Sequence, residues 1–156
     1  MSSNYIDHLS KIHYWATVAM FPTGVVTLLA LLTISAPYGR YSKGGMWGPL
    51  INAKVAWMAW ESPAFLLPIL ILHWAPGGIG AILEAPLSKR TLLLLCFLTH
   101  YFYRSFVYPL TTRSGEPAPL SVVALGGTFC IWNGFLQVIR LVVHSISMQM
   151  LIHVLM

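Results

Sequence analysis

Apolar positions in this chain fall into long unbroken runs, separated by short stretches rich in Pro, Gly and charge. Tyr14 to Ala36 is 23 residues without a charge, and Val55 to Trp74 is 20 residues with one charge, Glu61. Thr91 to Leu110 carries His100 and Arg104, and Leu120 to Ile139 is closed by Arg140. A hydrocarbon core of ~30 Å takes about 20 helical residues to cross, so each run predicts a transmembrane helix. The first follows a short polar start containing Asp7 and Lys11. It is too long for a signal-peptide core and lacks a small-residue cleavage site, so it reads as a retained helix. Pro22 and Gly24 are expected to bend it. Pro63 and Pro68 lie inside the second run, where neighbouring helices can satisfy the freed carbonyls.

The runs are joined by Pro37–Pro49, with two prolines and four glycines, by Ala75–Arg90, and by the polar turn Arg113–Pro119. Such connections predict sequential antiparallel neighbours: an all-α membrane bundle of about four helices. Residues 141–156 form a separate, divergent tail of sixteen residues without a formal charge. His144, Ser145, Ser147, Gln149 and His153 make it only partly apolar. It extends the fourth helix, lies at the interface, or is poorly ordered.

Composition agrees with the runs. Of 156 residues, 57% are apolar and 8% charged, against roughly 45–50% and about 25% in a soluble domain. Mean hydropathy is +0.72. Disordered chains are poor in apolar residues, and Cys96 and Cys130 sit inside apolar runs, which excludes a disulfide scaffold. The formal charge of +5 comes from single Lys and Arg residues that mostly flank the runs, as interfacial anchors do. No basic cluster reaches four, so no nucleic-acid partner is expected; the expected surroundings are a lipid bilayer. Arg40, Lys43, Lys54 and Arg113 fall on one side, and Lys11, Lys89, Arg90 and Arg140 on the other, which leaves the orientation open.

Ionisable groups inside membrane helices are functional candidates by default. Glu61 is the only acid inside a run, and Arg104 the only base well inside one. Desolvation favours the neutral carboxylic acid, which can donate a hydrogen bond to a substrate oxygen and so stabilise an enolate. Against this stands a structural acid paired with Arg104 or Lys54. On the third helix Tyr101, Arg104 and Tyr108 share a face at i, i+3, i+7, and His100 lies four residues before Arg104. The sector is either an oxygen- or phosphate-binding pocket or an aromatic belt with a snorkelling Arg. For Tyr103 and Tyr108 alone, the belt is the better reading. Asn133, with Gln137 one turn on, should hydrogen-bond across helices, and packing glue is the favoured role. No spacing matches a metal site, a phosphate-cradling Gly motif or a nucleophile triad.

Several short motifs occur in an order that resembles the steroid 5α-reductase family (3-oxo-5α-steroid 4-dehydrogenases). They are Ala36-Pro37-Tyr38-Gly39-Arg40, Trp47-Gly48-Pro49, and Ala56-Trp57 through Glu61-Ser62-Pro63. His100-Tyr101-Phe102-Tyr103-Arg104, Tyr108-Pro109, Phe129-Cys130 and Asn133-Gly134-Phe135-Leu136-Gln137 follow. The likeness runs from Tyr14 to Arg140 and leans toward the plant branch. It implies a membrane-embedded, NADPH-dependent oxidoreductase of the endoplasmic reticulum in steroid metabolism. Hydride goes to C5 of a 3-oxo-Δ4-steroid, and a Glu and a Tyr hold the developing enolate oxygen. Those roles map onto Glu61 and Tyr101, with Trp57, Arg104 and Tyr108 lining the steroid and Asn133 as a cofactor contact. Animal members carry Gln where Trp60 stands.

Family members run to about seven helices, and their second half supplies most NADPH contacts. Its Asn-Tyr-Phe-Gly-Glu-like and Pro-Arg-Gly-Gly-like segments have no counterpart here. The resemblance therefore implies a truncated, substrate-side half. Rival expectations are an enoyl-thioester or polyprenol reductase, a non-catalytic sterol-binding protein or partner of a full-length reductase, and a proton or ion carrier using Glu61 and Arg104.

Overall fold

In the computed structural model, residues 3–37, 41–42, 47–75, 78–113 and 115–155 are described, with the backbone alone from His144 onward. The Tyr38–Arg40 part of the first motif, Lys43, and the side chains of His144 and His153 lie outside the described residues. The chain folds into helices α1 (Ser3–Thr33), α2 (Ala53–Trp74), α3 (Gly78–Glu84), α4 (Lys89–Phe102), α5 (Tyr108–Thr111) and α6 (Leu120–Leu155). A π turn, Tyr103–Val107, joins α4 to α5, so residues 89–111 are helical without a break.

Three helices are long and apolar enough to cross a membrane: Asn4–Thr33, Ala53–Trp74 and Leu120–Val143. The third expected span exists as the α4–π–α5 rod, but its regular first part is only 14 residues long. The apolar run that begins at Tyr14 is continuous with its polar start, since the first helix opens at Ser3. At the far end α6 passes through residue 140 unbroken. Leu141 and Val142 are buried beside Val138 and Ile139, so the tail extends the fourth helix. At about 1.5 Å per residue its 36 residues span about 54 Å, well beyond the hydrocarbon thickness.

Two features depart from the expected loops. The Ala75–Arg90 connection contains α3. It begins at Gly78, where a side chain would collide with the Leu72 carbonyl oxygen. The connections before α2 and α6 pair as two short antiparallel strands, β1 (Leu50–Ile51) and β2 (Ala118–Pro119), in register Leu50↔Pro119 and Ile51↔Ala118. Leu120 N–H donates to the Pro49 carbonyl at 2.9 Å, and Ser121 Oγ to the Trp47 carbonyl at 2.7 Å.

This clamp starts α2 and α6 at the same end, so they run parallel. They make the most extensive helix pair of the fold, which corrects the expectation that sequential neighbours dominate. The reason is small residues. The α2 stripe Ala56, Trp60, Ala64, Pro68 and Leu72 is buried at i, i+4, i+8, i+12 and i+16. A Cβ on Gly134 would come within 3.2 Å of the Ala64 Cα and Pro68 Cδ, and one on Gly126 within 3.2 Å of the Trp60 ring. Close backbone approach is how helices associate where lipid removes the hydrophobic driving force.

The α4–α5 rod packs antiparallel on α2 through Phe65 against Phe102 and Phe106, with ring centroids 5.6 and 5.8 Å apart. Ser88 caps it, its Oγ accepting from the Thr91 N–H at 3.2 Å. An aliphatic cluster of Ile6, Leu72, Leu94, Val138, Ile139, Leu141 and Val142 closes the other end. Among the described residues, helix α1 packs on α6 through its first half. Ile6 enters the cluster, His13 Nε2 lies 3.2 Å from the Leu136 carbonyl oxygen, and Trp132 Nε1 donates to the Ala16 carbonyl at 3.1 Å. From Phe21 to its end the helix is exposed, with Phe21 and Leu32 each 74% exposed.

Candidate functional site

Asn52 starts α2, its Oδ1 accepting from the Lys54 and Val55 N–H groups at 3.0 and 3.4 Å. Nine residues on, Glu61 turns inward, only 4% exposed. Its Oε1 accepts from Arg104 Nε at 2.7 Å and from Trp60 Nε1 at 3.2 Å. Its Oε2 faces the Cys130 thiol at 3.9 Å. The two ionisable groups found inside apolar runs are thus each other's partners, and the pair joins α2 to the π turn.

The π turn follows from Pro109. A proline inside a helix lacks an N–H and its ring crowds the carbonyl four residues back, here Ser105. The chain widens by one residue, and the Tyr108 N–H donates to the Tyr103 carbonyl instead of that of Arg104. Trp57 Nε1 donates to the Arg104 carbonyl at 3.1 Å. The Arg104 guanidinium carbon lies 5.0 Å from the centre of the Trp57 ring, and the Tyr108 ring centroid lies 5.2 Å from it. The structure therefore gathers Trp57, Glu61, Arg104 and Tyr108 into one contact set.

Tyr101, one helical turn before Arg104, meets a different helix. Its hydroxyl oxygen accepts from Asn133 Nδ2 at 3.0 Å, the cross-helix bond expected of that amide. Phe97 and His100 flank its ring at 4.6 and 5.2 Å. His100 itself is exposed, as is Gln137, so neither joins the inward sector. Tyr103 is exposed too, at 57%, which agrees with the belt reading. The sequence marks Cys130 only as a thiol in an apolar run and as part of Phe129-Cys130; its place beside Glu61 depends on the packing of α6 on α2.

A separate cleft of about 160 Å³ opens at the clamp end, lined by Lys54, Trp57, Trp60, Tyr108, Arg113 and Glu116 among others. It is below the roughly 300 Å³ at which pockets for drug-sized ligands begin.

No family model matches the chain. Individual relatives do. The chain is 41% identical over 117 residues to 3-oxo-5-alpha-steroid 4-dehydrogenase 1 of Bos taurus, covering 73% of this chain and 43% of that protein. It is 38% identical over 120 residues to a steroid 5-alpha-reductase of Arabidopsis thaliana, again 73% and 43%. It is 35% identical over 117 residues to 3-oxo-5-alpha-steroid 4-dehydrogenase 2 of Rattus norvegicus, 74% and 43%. Animal and plant relatives match at comparable identity, so no lean toward the plant branch follows. The chain spans less than half the length of these curated relatives. Over the portion matched, it belongs to the steroid 5α-reductase family.

Proposed function

We propose that this chain carries the carbonyl-holding half of an NADPH-dependent 3-oxo-Δ4-steroid 5α-reductase of the endoplasmic reticulum membrane. In that reaction NADPH supplies a hydride to C5, C4 gains a proton, and the products are the saturated 3-oxo-5α-steroid and NADP⁺.

One observation carries the reading. Glu61 and Tyr101 come from different helices, and each keeps one valence for a ligand. Arg104 and Trp60 occupy Oε1 of Glu61, leaving Oε2 to the weak thiol contact alone. Asn133 donates to the Tyr101 oxygen, so the hydroxyl proton is free to donate elsewhere. The Tyr101 hydroxyl supplies one donor to a developing enolate oxygen, and Glu61 supplies the second when Oε2 takes up a proton, Oε1 staying with Arg104. Such donors count most when fixed in advance in a water-poor site. Trp57, Arg104 and Tyr108 supply the aromatic and cationic flank.

The described residues do not compose a dinucleotide site. Asn133 commits its amide to Tyr101, and Lys54 and Arg113 line a cleft too small for such a cofactor. No hydride step is therefore assigned to this chain's residues. The commitment of the Asn133 amide to Tyr101 favours a second reading: the chain binds steroid without turning it over, alone or beside a full-length reductase.

The test is to incubate the purified chain with NADPH and a Δ4-3-ketosteroid and assay for 5α product. The same assay is run on a full-length relative with the residues matching Glu61 and Tyr101 changed. Product from the chain supports the first reading. Binding without product supports the second. Full activity in the relative's Glu→Gln and Tyr→Phe variants overturns both assignments.

A further inference from the structure

We propose that Trp57 is a positioning residue that sets Arg104, and through it Glu61. The consequence for catalysis rests on the function proposed above; the positioning itself does not.

The argument starts at an orphaned carbonyl. In an α-helix the Arg104 carbonyl would accept from the Tyr108 N–H, but the π turn sends that N–H to Tyr103. The next donor in a π register would be residue 109, a proline without an N–H. A buried acceptor left unpaired costs about 1–3 kcal/mol, and more where lipid excludes water. The indole N–H of Trp57 fills the gap at 3.1 Å. The face of the same ring supports the Arg104 guanidinium at 5.0 Å. One side chain on α2 thus holds both ends of Arg104, whose Nε then meets Glu61 Oε1 at 2.7 Å. The polar edge of Trp57 goes to the backbone, and its ring also packs on the Tyr108 ring, centroids 5.2 Å apart. Pro109 creates the vacancy and Trp57, four residues before Glu61, answers it.

The experiment uses the whole chain in lipid nanodiscs with ¹⁵N-labelled Arg and Trp. The Arg104 Nε–H resonance is identified by its loss in Glu61→Gln. In Trp57→Phe, which keeps a ring but not the donor, that resonance should shift and lose about tenfold in protection from exchange, the equivalent of about 1.4 kcal/mol. Adding Pro109→Ala supplies a backbone N–H to the Arg104 carbonyl and should restore it. Val138→Ala, in the distant aliphatic cluster, should leave it in place while lowering stability. In the unaltered chain, the Trp57 indole proton should exchange about tenfold more slowly than that of the exposed Trp74.

An unchanged Arg104 signal in Trp57→Phe overturns the proposal. So does failure of Pro109→Ala to restore it, an equal change in Val138→Ala, or a fast-exchanging Trp57 indole. Steroid turnover enters none of these readouts, so the positioning claim and the proposed function fail separately.

Discussion

Helices α1 and α6 look alike as strings of hydropathy. Each contains a window of mean hydropathy 1.8 or 1.6, long enough to cross a membrane. Yet a third of the α6 window is buried against protein and none of the α1 window is. The difference lies in small and polar residues. Helix α6 carries Gly126, Gly127 and Gly134 toward Trp60, Ala64 and Pro68 of α2, and Asn133 and Cys130 toward Tyr101 and Glu61. Helix α1 offers Leu28, Leu29, Leu31 and Leu32, all exposed, and holds on through His13 and the carbonyl of Ala16. Hydropathy puts a helix in the bilayer; close-packing residues and hydrogen bonds decide which neighbour it keeps.

The sharpest way to break this contrast is Gly134→Leu. A side chain there meets the α2 backbone at Ala64 and the Pro68 ring. Helix separation should cost about 3 kcal/mol or more, read as a lowered midpoint when mixed detergent micelles are titrated with SDS. Next is Arg104→Ala, which leaves Glu61 buried without its cation. Removing one member of a buried pair costs about 3–5 kcal/mol. Because the Arg104 side chain is 42% exposed, we expect about 2 kcal/mol. Glu61→Gln added to Arg104→Ala should recover part of that loss in the same titration.

Smaller again is the loss from Trp132→Phe, which removes the donor to Ala16. It should cost about 1 kcal/mol and free α1 to move, seen as a broader distance distribution between spin labels on α1 and α6. The smallest change is Leu28→Ala on bare α1, expected within about 0.5 kcal/mol. A cost above 2 kcal/mol there would show a protein contact that the fold does not contain.

Much of this was readable from the residues. Runs of apolar sequence located helices α1, α2 and α6 and the extent of the α4–π–α5 rod. The rule that lipid tolerates few charges singled out Glu61 and Arg104, which are ion-paired. The Asn133 bond followed from the cost of an unpaired amide in lipid. Three things stayed hidden. Helices α2 and α6 are parallel partners because two-residue strands pair across 66 intervening residues between Ile51 and Ala118, and local pattern carries no such signal. The π turn depends on how Pro109 is accommodated, where a kink or a helix end was equally allowed. Cys130 became a neighbour of Glu61 only once Gly126 and Gly134 had brought α6 onto α2.

The central claim is that Glu61 and Tyr101 together hold the carbonyl oxygen of a 3-oxo-Δ4-steroid. It is tested most directly by the ¹³C resonance of a steroid labelled at C3, bound to the chain in nanodiscs. Two donors on the oxygen should move it downfield relative to lipid-dissolved steroid. The shift should shrink by about half in Tyr101→Phe or Glu61→Gln, and vanish in the double variant. An unshifted C3 resonance in the unaltered chain under saturable binding, or a shift that survives in the double variant, would contradict it.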